Sequence, residues 1–345
     1  MKQMLYAAGT ALCGLIAATT AANAEAKVAD NLRIVIGSKS TGGDTYQNSA
    51  IIAEALSQKL GINAKVDAVG ASAAFGLLKR ISDGSVVMIF HDQSYLGHLY
   101  GQKGYDNPFS DFKIGPTVAI NPGDAFVAPK KSPYNSLEEL MEAAGKGTRV
   151  RVAIQPGGVS EIGYTAMKNA VKLKYPGQEG NLAAVNTGSQ ADKNQLLFDG
   201  QADLIHGSVQ ANEQYTRLPA DDQKAMKFMW LPAREKTLEQ ANPEGLGQTS
   251  REELLKFASP AVVVPKDEKS NFNFDKEFFF LYNKDMDPAI VAQIDQALTE
   301  IFAEGKVQET QKKSFFIPNF KPSAEAESYL KDKAAQIEDI IAAIK

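Results

Sequence analysis

Twice in this sequence a short run of β-branched residues breaks into a glycine-rich loop and passes at once into a segment with helical apolar spacing. The first case is residues 32–36 (LRIVI), a loop of Gly, Ser and Thr, and a helix pattern over 48–60 that Gly61 stops. The second is residues 150–154 (VRVAI), the loop QPGGVS at 155–160, and a helix over about 161–173. A buried strand feeding a helix through a tight loop is half of a crossover, and it demands a largely parallel sheet covered by helices. Such a loop has a chemical bias as well. The first N–H groups of a helix lack intrahelical partners and sit at the positive end of its dipole, so the turn is a ready anion site.

The rest of the chain follows the same logic. Strands are expected at 64–69 and 86–90, with a helix over 72–81 between them. After a polar stretch at 95–111 the pattern restarts with a strand at 125–128. Ser136 and Glu139 form a capping box that opens a helix to about Ala144. Strands at 183–185, 202–205 and 228–231 follow, with a helix over 190–198. The last third holds an apolar run at 261–264, a charged surface loop at 266–276, an aromatic strand at 278–282 and helices near 287–304 and 323–344.

Composition narrows the partners. With 37 Lys and Arg against 41 Asp and Glu the chain is mildly acidic, and no basic stripe suits nucleic acid. Lys2, the apolar stretch after it and Ala22-Asn23-Ala24 read as a secretory signal peptide over 1–24, cut before Glu25. The single cysteine, Cys13, lies inside that leader, so the exported product has neither disulfide nor thiol chemistry.

The site candidates are weighed by what they lack. Gly37-x4-Gly42 has P-loop spacing, but Gly43 and Asp44 stand where Lys and Ser or Thr belong, so a nucleotide loses its charge partner. Gly158-Val159-Ser160-Glu161-Ile162 approaches a nucleophile elbow and ends on the wrong residue. His91 and His98 are seven apart, which misses the helical zinc spacing, and neither metal nor cofactor is expected. His91 and His206 end strands, where open α/β sheets bind ligands.

The order of motifs resembles the periplasmic receptors of tripartite tricarboxylate transporters, the TctC or Bug-type solute-binding proteins. It is carried by TGGDTY at 41–46, ALSQKLG at 55–61, DGSVVM at 83–88, YDNPFSDF at 105–112, YNSLEEL at 134–140, QPGGVS at 155–160 and GQADL at 200–204. The resemblance implies an α/β, two-lobed periplasmic-binding-protein (Venus flytrap) fold with mixed sheets flanked by helices. Lobe 1 would hold 25–124 with 265–345, and lobe 2 would hold 125–264, hinged near 125–128 and 261–264. It further implies a monomer that catalyses nothing, grips a small organic carboxylate by backbone N–H groups and ordered water, and delivers it to a membrane permease.

Carried onto this chain, Ser40, Thr41, Gly42 and Gly43 form one half of the grip and Gly157, Gly158 and Ser160 the other. Thr187, Gly188, Ser189, Tyr46, His91 and His206 are candidates for the far end. Three departures stand out. Tyr46 replaces the usual loop aspartate and suits a bulkier ligand, Gly163 replaces a histidine three residues past the serine, and the third loop reads Asn186-Thr187-Gly188. Two other readings stay open: a receptor of the TRAP type, and a secreted hydrolase built on Ser160 with His206. A role in feeding a signalling kinase also stays open.

Overall fold

The computed structural model describes residues 27–344, so the expected leader lies outside the described residues. The chain opens with β1 (Asn31–Ile36), α1 (Asp44–Leu60), β2 (Asn63–Ala68), α2 (Ala71–Arg80), β3 (Val86–His91), α3 (Gln93–Leu99), α4 (Pro108–Asp111) and β4 (Phe112–Asn121). It continues through β5 (Asp124–Pro129), α5 (Leu137–Gly145), β6 (Val150–Ile154), α6 (Val159–Lys174), β7 (Leu182–Asn186), α7 (Gln190–Phe198), β8 (Leu204–Ser208), α8 (Val209–Thr216), β9 (Met226–Trp230), α9 (Glu235–Leu238) and α10 (Arg251–Leu255). It closes with β10 (Lys276–Asn283), α11 (Pro288–Glu304), α12 (Lys306–Lys313), β11 (Ile317–Lys321) and α13 (Ser323–Ile344).

These elements build two mixed sheets flanked by helices. One has six strands in the order β11-β4-β10-β3-β1-β2, and the other has five in the order β7-β6-β8-β5-β9. In the first, β1 runs parallel to β2 and β3, with Ile34 beside Val87, while β10 is inserted antiparallel between β3 and β4. In the second, β6 runs parallel to β7 and β8, and β5 is antiparallel to β8 and β9. The chain passes from one sheet to the other through Pro122 and Gly123, between β4 and β5.

β10 shows why an all-apolar run can be a strand. Its side chains alternate between two cores. Phe278, Phe280 and Tyr282 pack with Ile52 and Leu56 of α1 and with Ile294 and Leu298 of α11. Phe279 and Leu281 face the other way, toward Phe75 and Leu78 of α2 and Leu330 and Ile337 of α13. That second core is continuous with Val152 and Ile154 of β6 and Ile162 and Met167 of α6, so one apolar body runs beneath both sheets.

Several expectations are corrected. β4, a buried ten-residue strand, was not expected, and neither was β11. The strand expected at 125–128 forms within β5, and the apolar run at 261–264 lies outside the strands. The loop expected on the surface over 266–276 sends Phe272, Phe274 and Asp275 into the core and ends in β10. The capping box forms on one side: Ser136 Oγ accepts from Glu139 N at 3.2 Å, while Glu139 Oε2 accepts from Asn135 N at 2.7 Å.

Gly163 also finds its explanation. Phe126 of β5 stacks on Trp230 of β9 at 5.2 Å, and a Cβ on Gly163 would lie 2.6 Å from the Phe126 ring. The aromatic pair fills the space a side chain would need. Gly163→Ala should therefore overpack the contact between α6 and the second sheet and cost about 1–3 kcal/mol, measured as a lower denaturant midpoint with an unchanged slope.

Candidate functional site

The two glycine loops that the sequence sets in parallel also match in backbone. α1 starts from Gly43 (φ −92°, ψ 167°) and α6 from Gly158 (φ −100°, ψ 176°), and neither start is capped by a side chain. α5, α7 and α8 differ, because Ser136, Ser189 and Ser208 cap them. A serine cap consumes one of the orphan N–H groups of a helix, and a glycine leaves it for another acceptor.

The starts of α1, α2, α6, α7 and α8 all open on one cleft of about 550 Å³, lined from both sheets. Gly43, Asp44 and Thr45 line it from α1, Gly70 and Ala71 from α2, and Val159 and Ser160 from α6. Ser189 and Gln190 line it from α7, and Ser208 and Ala211 from α8. Five positive helix ends aimed at one space make it a region of positive potential.

Of the residues singled out in the sequence, Ser40, Gly43, His91, Ser160, Gly188, Ser189 and His206 line this cleft. Thr41, Gly42, Tyr46, Gly157, Gly158 and Thr187 are not among the lining residues. Four of the second group have a local reason. Gly42 N donates to Ser40 Oγ at 3.2 Å and shapes the first loop. Gly157 takes φ +71° and lies so close to Gln102 and Gly97 that a Cβ would meet them at 2.5 and 3.0 Å. Thr187 turns its hydroxyl onto Ile154 O at 3.1 Å. Tyr46 lies half-buried on the first turn of α1, and the acidic side chain that this turn supplies to the cleft is Asp44.

Ser160 is not set up as a nucleophile. Its hydroxyl accepts from Gln155 N at 2.8 Å and donates to Gln155 O at 3.3 Å, which folds the loop on itself. His206 stands instead beside Asp124, with Nε2 3.4 Å from Oδ1.

The charged floor of the cleft was not anticipated. Lys276 Nζ lies 2.6 Å from Asp44 Oδ2 and 3.8 Å from Asp124 Oδ1, and all three side chains are buried. Asn121 Nδ2 donates to the same Asp44 oxygen at 2.6 Å. Burial alone would push the Asp44 carboxyl up. The Lys276 charge nearby, with the hydrogen bonds from Lys276 and Asn121, outweighs it and holds the group at about 2. Asp124 shows the opposite balance: burial dominates, Lys276 opposes it only in part, and the carboxyl rises to about 6. Burial holds both His91 and His206 well below the usual imidazole range, so both are neutral at pH 7. The His91 Nδ1 accepts from Gln93 N at 3.2 Å, which leaves the proton on Nε2.

Lys193, on α7, is the other buried cation that lines the cleft. It is 5 % exposed, and its side chain makes neither hydrogen bond nor ion pair among the described residues. Burial brings its ammonium down to about 8. No cluster of His, Cys, Asp and Glu able to hold a metal occurs among the described residues, and no helix among them is long and apolar enough to cross a membrane.

No family model matches this sequence, and no curated protein matches it. Solved structures do. The structure of the periplasmic binding protein BugD superposes with a TM-score of 0.67 at 18% identity, covering 91% of this chain and 97% of that one. MatC from Rhodopseudomonas palustris, solved with bound malate, gives 0.65 at 16% identity, covering 90% and 98%. A second R. palustris protein, solved with adipate, gives 0.69 at 15% identity, covering 91% and 97%. The chain thus has the two-lobed α/β fold of the periplasmic binding proteins over nearly its whole described length.

Proposed function

We propose that this protein is an exported, periplasmic solute-binding receptor that captures a small organic carboxylate in the cleft and delivers it to a tripartite tricarboxylate-type membrane permease. The observation that carries the reading is the pair of uncapped glycine starts, Gly43 and Gly158. They hold α1 and α6 in matching conformations, one from each sheet, with both helix ends on one cleft. In this reading the first-turn N–H groups of α1 and of α6, among them those of Asp44, Val159 and Ser160, donate to the ligand, since neither helix supplies them an acceptor and no side chain caps either start. One carboxylate with two oxygens can take a donor from each side.

The likeness to proteins solved with malate and adipate supports the ligand class, and the resemblance in motif order supports the permease as partner. In this reading the lobes, 25–124 with 265–345 and 125–264, form the two jaws, and a ligand that touches both favours the closed arrangement. Catalysis is not part of the reading. Ser160 is committed to Gln155, and its loop serves to present backbone donors.

A thermal-shift screen of organic acids at fixed pH tests the ligand class. A bound acid raises the melting temperature by mass action, about 2.7 kcal/mol of added stability at a hundredfold excess over Kd. The reading fails if no organic acid shifts the protein while a sugar or a cation does. Nothing lies within 4 Å of a Cβ placed on Gly43, so Gly43→Glu should keep the fold and set a carboxylate at the start of α1. That variant should melt within a few degrees of wild type and lose at least tenfold in affinity for any acid the screen finds, as read by calorimetry.

A further inference from the structure

We infer that Lys193 is the residue that selects a second acidic group on the ligand. The inference rests on the carboxylate reading above and adds a side-chain anchor to a grip otherwise made of backbone. The two lysines buried at the cleft are in different circumstances. Lys276 has its counter-ions built in, with Asp44 at 2.6 Å and Asp124 at 3.8 Å. Lys193 has none: its side chain forms no ion pair and no hydrogen bond among the described residues. An ammonium held in the wall of a cleft with no ion-pair partner of its own is placed to take an acceptor that arrives with the ligand.

The groups that face Lys193 from the neighbouring elements are Asp124 on β5, His206 on β8, Lys276 on β10 and Asp44 on α1. His206 is neutral, and Asp44 and Asp124 share the charge of Lys276. None of them cancels Lys193 at contact distance. The same wall holds two buried atoms with no hydrogen-bond partner among the described residues, Asp124 Oδ2 and His206 Nε2. A ligand whose first carboxylate lies on the α1 and α6 starts, and whose second lies on Lys193, spans the cleft. A polar substituent beside the second acid would meet the Asp124 and His206 atoms.

Burial sets the Lys193 ammonium to lose its proton from about pH 8 upward. An anion on it raises that value, so affinity for a ligand that uses Lys193 falls as pH rises past the free-state value, by up to about tenfold per pH unit. The backbone donors of α1 and α6 do not titrate, so a ligand with one carboxylate should not follow this fall.

The experiment is calorimetric titration with matched pairs of acids: butyrate and succinate, hexanoate and adipate, benzoate and terephthalate. Wild type is compared with Lys193→Met near pH 7, and wild type alone is followed to about pH 9.5. In at least one pair the diacid should bind wild type tenfold or more tightly than the monoacid. The preference should drop below about threefold in Lys193→Met with the monoacid unchanged, and should shrink about tenfold in wild type toward pH 9.5. The pH series needs no variant, so it decides the matter if the substitution disturbs folding. Monoacids bound as tightly as diacids, a preference that survives in Lys193→Met, or one that is flat with pH, would each overturn the role of Lys193 and leave the carboxylate reading standing. Binding of no acid from any pair would overturn both.

Discussion

The buried contact between Lys276 and Asp44 is the point on which the two ends of the chain depend. Asp44 sits on the first turn of α1 and Lys276 opens β10, 232 residues later. Breaking such a pair by removing one partner leaves the other charge stranded in the interior, at a cost of about 3–5 kcal/mol. The pair therefore fixes where α1 begins relative to the central strand of the first sheet. It also removes from the cleft a negative charge that would oppose an anion.

Lys276 has neighbours that extend the arrangement. Along β10 and the residue before it, side chains point in alternate directions. Asp275 accepts from Arg234 N at 3.0 Å and from Thr237 Oγ1 at 2.9 Å, next to the second sheet. Glu277 lies on the same side as Asp275, opposite Lys276, accepts from Tyr329 of α13 at 2.7 Å, and donates its own N–H to Asp92. Lys333 of α13 reaches Asp92 at 2.7 Å. Three consecutive residues thus hold the second sheet, the cleft floor and the last helix. Burial raises the Glu277 carboxyl to about 7 against the pull of Lys333. Its unfolded counterpart ionises near 4.5, so this group withdraws stability as pH climbs between those values.

What could be read in the sequence was local. The βα units, the helix ends and the two glycine loops carry their pattern within a dozen residues, and the structure places strands and helices there. β4 escaped because Lys113, Gly115, Pro116, Thr117 and Asn121 break any apolar alternation, although the strand is almost wholly buried. Its polar members have partners that no local window contains: Thr117 bonds to Asn319 O, and Asn121 to Asp44. The cleft floor escaped for the same reason. Lys193 lies in QADKNQ, which reads as a solvated helix face, and only the convergence of loops from both sheets buries it. Tyr46 is a different case: its position in a motif suggests a ligand contact, while it lies half-buried and is not among the residues lining the cleft.

Trp230 is the only tryptophan in the chain, and its setting has a practical consequence. It stacks on Phe126, whose ring meets the His206 imidazole edge-on at 5.0 Å. The indole is thus two rings behind the cleft wall, fully buried and without a competing emitter of its own kind. A shift of the His206 ring would reach the indole through these two ring contacts. The molecule carries an intrinsic fluorescent probe beside its candidate site, readable without labels and without altering a residue that faces the ligand.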